Sequence, residues 1–593
     1  MTINNSLYYR TFQRDVYGMK METKSTEYKT VVSDVLIIGA GGAGLRAAIE
    51  ACDGGASVVI VSKSLLGKAH TVMAEGGIAA SVADVDPKDN WEVHFSDTIR
   101  EGVYMSDWRM VEILVKEAPK AVYELESYGA LFDRTPDGKI MQRAFGAHTY
   151  KRLCHVGDKT GMELIRTLED QVLHRDIKVM DELFITKIIT KGNAVSGAFG
   201  LELRTGKFVV FQTKAIIMCS GGCGRLYKVT SNSWESTGDG VALAYNAGAV
   251  LRDMEMIQFH PTGMVYPPGV RGLLVTEGVR GEGGILLNSN GERFMLKYSP
   301  IKKELDARDV VARAIYAEIE RGRGTKHGGV YLDISHMGAA FIHKKLPAMY
   351  TQFKEFAGVD ITKEEMEVAP TVHYQMGGIR VDPESCKTNV KGLFAAGEVA
   401  SGVHGANRLG GNSLADILVF GRRAGFSAAK YTKSAKHIYA VDEKAINEQI
   451  ARVNSYASIK NPVNPYGLME RLRNAMSEHV GIIRDANGMQ KALSTIKRIR
   501  EKAGRVGVSG GLRFNPGLLV CLELDGMLIV AEAIIRSALE RKESRGAHAR
   551  SDFPKNNPNY AKNILCYKKN EEMELSMSPV PEMPDRLKKL VMT

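Results

Sequence analysis

An α/β fold, opening with a Rossmann-like nucleotide-binding domain, is predicted by three observations. They are the β-branched run Val31 to Ile38, the glycine turn Gly39-Ala40-Gly41-Gly42-Ala43-Gly44, and the apolar run Val58-Val59-Ile60-Val61 one helix length later. A strand, a glycine turn, a helix and a second strand make a βαβ unit, and such units build parallel sheets. The chain has 593 residues, too many for one hydrophobic core, so several domains are expected.

Residues 1–30 are polar and read as an N-terminal extension. Residues 31–258 form the first part of the nucleotide-binding domain. In it the helix Leu45 to Asp53 ends at Gly54-Gly55, a helix with apolar spacing covers about 107–128, and short strands recur near 178–218. Lys214 to Met218 is one more strand, running into the glycine turn Cys219-Ser220-Gly221-Gly222. Residues 259–371 are rich in glycine, loops and charge and interrupt this pattern, which returns over 372–438 at Gly392-Leu393-Phe394-Ala395-Ala396-Gly397-Glu398. An inserted domain is the economical explanation. Residues 439–550 are mostly helical, and 551–593 read as an extended tail.

Composition narrows the function classes. Hydrophobic residues at 44% and charged residues at 25% suit a soluble globular protein. No stretch approaches the roughly 20 apolar residues that cross a bilayer. The first 30 residues lack an apolar h-region and a twin-arginine signal, so a cytoplasmic protein is expected, reaching a membrane only through partners. The net charge of +11 is modest, and its basic residues are not interleaved with aromatics, which excludes nucleic acid as a partner. Seven cysteines, with no C-x-x-C pair, predict neither disulfides nor a metal or iron–sulfur site, so any clusters belong on another chain.

Gly39 makes the tight turn, Gly41 lets a pyrophosphate approach the backbone, and Gly44 packs helix on strand; the helix N-terminus supplies N–H donors and a favourable dipole. The second strand ends in Ser62-Lys63, not in the acidic residue that holds an NAD ribose, which leaves FAD open. The run Lys68-Ala69-His70-Thr71-Val72-Met73-Ala74-Glu75-Gly76-Gly77 sets a histidine among small residues near the expected flavin ring. On spacing alone, a loop histidine bonded to backbone is the favoured reading.

The succinate dehydrogenase/fumarate reductase flavoprotein family resembles this chain from about 31 to 435 and more loosely to 593. Its flavin-linking block appears as Ala69-His70-Thr71-Val72-Met73-Ala74-Glu75-Gly76-Gly77, with Ala69 where the family usually has serine. The form around Lys63 to His70 looks most like the actinobacterial type. Further blocks include Gln258-Phe259-His260-Pro261-Thr262-Gly263, Thr276-Glu277-Gly278-Val279-Arg280-Gly281, Arg308-Asp309-Val310-Val311-Ala312-Arg313, His373-Tyr374-Gln375-Met376-Gly377-Gly378 and His404-Gly405-Ala406-Asn407-Arg408.

The resemblance implies an FAD domain split by an α+β capping domain, then a helical domain and a C-terminal tail. It implies FAD linked covalently to His70 and contacted by Gly39, Gly41, Gly42, Ala43, Gly44, Ser62, Lys63, Thr71, Glu75, Gly76, Gly77, Asp239, Glu398, Ser413 and Leu414. The lesser alternative for Asp239, in Thr237-Gly238-Asp239-Gly240, is a plain turn residue. His260 and Thr276 would hold one carboxylate of a C4 dicarboxylate, and His373 and Arg408 the other; without the resemblance the two histidines read as structural just as readily. Arg308 would transfer the proton, relayed to solvent by Glu277 and Arg280, where the plain alternative for Arg308, Asp309 and Arg313 is a salt-bridged helix start. The segment Glu543 to Arg550 reads either as partner-facing or as a solvated loop. The implied function is succinate/fumarate interconversion, with electrons passing through an iron–sulfur subunit, then through membrane anchor subunits, to quinone at the cytoplasmic face of the cell membrane. Alternatives are L-aspartate oxidase, a soluble fumarate reductase driven by another donor, and a non-catalytic flavin scaffold.

Overall fold

The computed structural model describes residues 27–435 and 439–592. The reading of the first 26 residues as an extension without a signal lies outside the described residues.

The first layer is a seven-stranded sheet. Its centre is β1 (Tyr28–Ile38), which leads through the glycine turn into α1 (Gly42–Asp53) and on to β2 (Val58–Val61). β2 lies parallel to β1 and carries β3 (Lys178–Met180) on its outer side. On the other side β1 pairs in parallel along β6 (Lys207–Met218), from Tyr28 opposite Phe208 to Ile38 opposite Met218. This long register draws Tyr28, Lys29 and Thr30 into the strand, so β1 starts within the segment read as extension. The antiparallel pair β4 (Leu183–Lys191) and β5 (Ala194–Glu202) continues from the first half of β6. The second half of β6 takes strand Leu393–Ala395 in parallel, which joins the two chain segments that flank the insertion.

Val35, Leu36, Ile37, Ile60, Ile216 and Ile217 are almost fully buried, as expected of parallel strands covered on both faces. Helix Asn412–Ser434 packs against α1, where Gly421 and Gly425 let the two backbones approach: a Cβ on Gly425 would stand 2.3 Å from the Ala47 carbonyl oxygen.

The insertion has its own antiparallel sheet, ordered 257–264, 366–375, 330–333, 285–287. Met264, Val279, Leu286, Val311, Ile315 and Leu332 form a hydrophobic core separate from that of the main sheet, which is the physical mark of a domain. Helices Glu443–Tyr456, Pro465–His479, Ala486–Ala503 and Pro516–Glu540 follow, each capped by a side-chain oxygen: Asp442, Asn464, Asp485 and Asn515.

The tail differs from its extended reading. Strands Lys562–Lys569 and Glu572–Pro579 pair as a hairpin and add to strand Leu251–Arg252. The final helix, Asp585–Met592, buries Leu587 and Val591 against Phe95, Ile99, Val111 and Val115. The segment 543–550 is neither solvated nor partner-facing. Glu543, Arg545, His548 and Arg550 are buried within the chain, with Glu543 bonded to Arg541 and Arg545. Charges at that density can be buried because each finds a partner at once. Among the described residues no helix is long and apolar enough to cross a membrane.

Candidate functional site

One cavity runs from the glycine turn, along the ends of β1, β2 and β6, to the junction with the inserted domain. At its far end Gly39 takes a φ of +113°, and a Cβ there would stand 2.3 Å from the Cys219 carbonyl oxygen. A Cβ on Gly44 would meet the Gly39 carbonyl oxygen at 1.9 Å. Gly41, at the N-cap of α1 without a side-chain bond, lines the cavity, where a Cβ would touch Thr71 Oγ1 at 3.4 Å and Ala69 Cβ at 3.5 Å. At the end of β2, Lys63 Nζ donates to Thr237, Asp239 and Glu523 at 2.8, 2.6 and 2.8 Å.

A dinucleotide fits this cradle by its unmet polar groups. Glu75 Oε2, Ser220 Oγ, Ser233 Oγ and Glu235 Oε2 are buried on lining residues without a partner in the protein. Buried polar atoms are otherwise almost always paired. Glu398 accepts from the Gln375 N–H at 3.0 Å, and burial pushes its carboxyl up to about 7.

His70 opens a single 3₁₀ turn, His70–Met73, at the middle of the cavity. Its loop is pinned on several sides: Thr71 Oγ1 accepts from the Gly42 N–H at 3.3 Å, and Arg143 Nε donates to the Gly76 carbonyl at 2.8 Å. The Ser233 N–H donates to His70 Nδ1 at 3.2 Å, and the Asn232 amide lies 3.2 Å from Nε2. Both groups are donors, since Asn232 presents its Nδ2, so each ring nitrogen faces an N–H and a neutral imidazole can accept from only one of the two. Burial, reinforced by Arg225 and opposed by Glu235, pushes the ring down to about 4. It is a neutral imidazole near pH 7.

The near end of the cavity is basic. Thr276 caps the short helix α2 (Glu277–Gly281), which sets Glu277 and Arg280 three residues apart on one face. Arg308 begins α3 (Arg308–Glu318). Its Nε donates to Glu277 Oε2 at 2.9 Å and its Nη1 to Gln258 Oε1 at 3.2 Å. Arg280 Nη2 stands 3.6 Å from the same Glu277 oxygen, and the Gly146 N–H donates to Oε1 at 2.7 Å. Burial alone would raise the Glu277 carboxyl, but Arg308, Arg280 and that N–H outweigh it and hold the group below its ordinary value.

The His260 and His373 rings lie 5.2 Å apart. His260 Nδ1 is 3.0 Å from the Thr262 carbonyl oxygen and His373 Nδ1 is 2.8 Å from Ser231 Oγ. Burial holds both well below the usual imidazole range, helped by Arg308 and Arg280 at His260 and by His260 and Arg308 at His373. Arg408 lies over the Tyr374 ring at 4.5 Å and donates to Ser413 Oγ at 3.1 Å. Burial and the nearby Arg308 push its guanidinium down to about 9. Arg308 and Arg408 line this end of the cavity together with His260 and His373, and Arg280 stands behind Glu277.

Every residue singled out from the sequence lines this cavity except Gly44, whose Cα is pressed on the Gly39 carbonyl, and Arg280, which sits behind Glu277. Sequence reasoning passed over Ser231, Asn232 and Ser233, which hold His70 and His373 together from one loop, since the Asn232 amide also donates to the His373 carbonyl at 2.9 Å. It likewise assigned nothing to Phe145, whose ring lies 5.8 Å from the Arg308 guanidinium, or to Gln258 and Tyr374. Small polar loop residues read as turn formers, and only the neighbouring histidine-containing blocks marked the last two.

Fold and cavity together define an FAD-binding flavoprotein. Residues 34–414 match the FAD binding domain family and residues 469–588 the fumarate reductase flavoprotein C-terminal family. The chain is 51% identical to a subunit of the CoM/CoB fumarate reductase of Methanothermobacter marburgensis, over 91% of this chain and 97% of the relative. It is 40% identical to the succinate dehydrogenase flavoprotein subunit of Coxiella burnetii, over 90% and 94% of the two chains. Among solved structures it superposes on Mycobacterium smegmatis Sdh1 in complex with UQ1, with a TM-score of 0.85, 49% identity and 93% and 95% coverage. A quinol-fumarate reductase with menaquinol molecules gives a TM-score of 0.88, 38% identity and 94% and 99% coverage. The chain belongs to the succinate dehydrogenase/fumarate reductase flavoprotein family.

Proposed function

We propose that this cavity interconverts succinate and fumarate on an FAD attached to His70. The observation that carries the reading is the basic chamber itself: Arg308, Arg408, His260 and His373 line one end of the cavity, a donor set suited to a dicarboxylate dianion. His260 and Thr276 take one carboxylate, and Arg408 with His373 the other, arginine offering a planar donor fork. FAD supplies hydride chemistry at its ring. His70, neutral and with Nε2 unclaimed by backbone, is suited to hold the flavin covalently; Gly39, Gly41, Gly42 and Ala43 cradle its pyrophosphate, while Glu398, Ser413 and Leu414 line its central part.

Arg308 is the acid–base group. Two of its nitrogens are engaged by Glu277 and Gln258, which leaves Nη2, without a hydrogen bond among the described residues, to face the substrate carbon. Its proton is replaced through Glu277 and Arg280. Arg280 in turn donates to the Glu304 carbonyl, and the Glu304 carboxylate is bonded to the partly exposed Arg293. Polar groups thereby lead from the chamber towards solvent, with Arg280 Nη2 3.6 Å from the Glu277 carboxylate. In holoenzyme purified with its native partners, Arg308→Gln should lose about 10²–10⁴-fold in both succinate oxidation and fumarate reduction while retaining flavin. Retained activity within tenfold defeats this assignment.

Electrons pass, in this reading, to an iron–sulfur subunit, then through membrane anchor subunits to quinone, which places the chain at the cytoplasmic face of the membrane. The extensive identity to a protein of the CoM/CoB fumarate reductase favours a second reading, in which thiols of that class supply the electrons for fumarate reduction. Assays of the native complex with quinol analogues and with CoM plus CoB separate the two.

A further inference from the structure

Gly146 lies in the FAD domain, in the loop after the short strand Gln142–Arg143, whereas Glu277 opens α2 of the inserted domain. Its φ is not in the left-handed region, so the backbone there would accept alanine. What excludes a side chain is Glu277: a Cβ would stand 2.4 Å from Oε1, with the Leu305 and Asp306 carbonyl oxygens next at 3.3 and 3.5 Å. The glycine is thus required for the approach of one carboxylate, and its N–H meets that oxygen at 2.7 Å.

We propose that Gly146 is a positioning residue of the acid–base relay, whose amide reaches across the domain junction and fixes Glu277 as the acceptor facing Arg308. The inference rests on the relay reading of Glu277. One oxygen of that carboxylate is taken by Gly146 and the other by Arg308 and Arg280, so the group cannot rotate away while the domains are apposed. The charged groups that bear on it are Arg308 and Arg280, which favour the carboxylate, the more distant Arg408, and Glu101, which opposes it. The Gly146 N–H adds to the favourable side. Without it the carboxyl holds its proton to higher pH, and relay through it fails over that range.

The test is Gly146→Ala in the holoenzyme, with kcat and KM for succinate followed from about pH 5 to 9, beside Glu277→Asp, Glu277→Gln and the Gly146→Ala/Glu277→Asp pair. The acidic limb of kcat should move up by roughly one pH unit, and displacement of the carboxylate from Arg308 should lower kcat about tenfold across the range, with KM and flavin content within about twofold. Added to Glu277→Asp, whose shorter side chain withdraws from the new methyl, the alanine should cost less than about threefold. A Gly146→Ala profile that superimposes on wild type, a change confined to KM, or independent multiplication of the two substitutions overturns the proposal. If Gly146→Ala alone fails to load flavin, recovery in the double variant supports the clash with Glu277, and no recovery overturns it. Wild-type activity in Glu277→Gln would sink the relay reading itself; an inactive Glu277→Gln beside an unaltered Gly146→Ala profile sinks only this inference.

Discussion

Arg408→Lys keeps the charge and removes the fork. Arg408 is 2% exposed, its guanidinium lies 4.5 Å from the Tyr374 ring centroid, and its Nε is buried with no protein partner. A lysine loses the stacked cation–π contact, worth about 2 kcal/mol in a desolvated setting. It also loses one charge-assisted hydrogen bond to the carboxylate, about 1.5–3 kcal/mol. Together these lower kcat/KM for succinate by roughly two and a half to three and a half orders of magnitude. Flavin content should not change, since the substitution is at the substrate end. Tyr374→Leu isolates the ring's share and should cost roughly thirtyfold, whereas Tyr374→Phe keeps the ring and should cost less. Steady-state kinetics with flavin quantified by absorbance is the assay. An Arg408→Lys enzyme within tenfold of wild type, flavin intact, refutes the fork argument.

Other consequences follow from the same geometry. His260 and His373 are held low by burial first and then by neighbouring cations, so a bound dianion raises their pKa values and the complex takes up protons. Dicarboxylate inhibitors should therefore bind more tightly as pH falls, with a calorimetric heat that depends on the buffer; a buffer-independent heat contradicts this. Arg541, 0% exposed, is bonded to Glu255 at 2.6 Å and to Asp253 at 3.4 Å, so Arg541→Leu strands buried carboxylates at a cost of about 3–5 kcal/mol. Burial, then Glu255, pushes the Asp253 carboxyl up to about 6, so that cost should shrink as pH falls through this value, as thermal inactivation would show. Gly44→Ala should yield protein without flavin, because its methyl would collide with the Gly39 backbone. His70→Ser should bind FAD without a covalent bond and lose succinate oxidation more than fumarate reduction. Equal loss in both directions would contradict a role for the bond in raising the flavin's potential.

The glycine turn and the strands around it were legible because periodicity and turn chemistry are local. The tail was not. Strand Lys562–Lys569 is recruited by Leu251 and Arg252, some three hundred residues away, and nothing in its own lysine-rich sequence marks that partner. The same holds for Glu543 to Arg550, whose charges read as solvated until Arg541 and its acidic neighbours close around them. In the cavity, residues inside specific blocks were found, and those that act from isolated loop positions were not. Ser233 and Gly146 contribute backbone N–H groups, which leave no trace in side-chain chemistry.

Isolation of the chain with its native partners, followed by acid denaturation and assay of succinate oxidation and fumarate reduction on the same preparation, tests the central claim most directly. The account predicts flavin fluorescence that stays with the polypeptide, together with dicarboxylate turnover that disappears in Arg308→Gln. Complete release of FAD on denaturation, or turnover of neither succinate nor fumarate by the flavin-loaded complex, would contradict it.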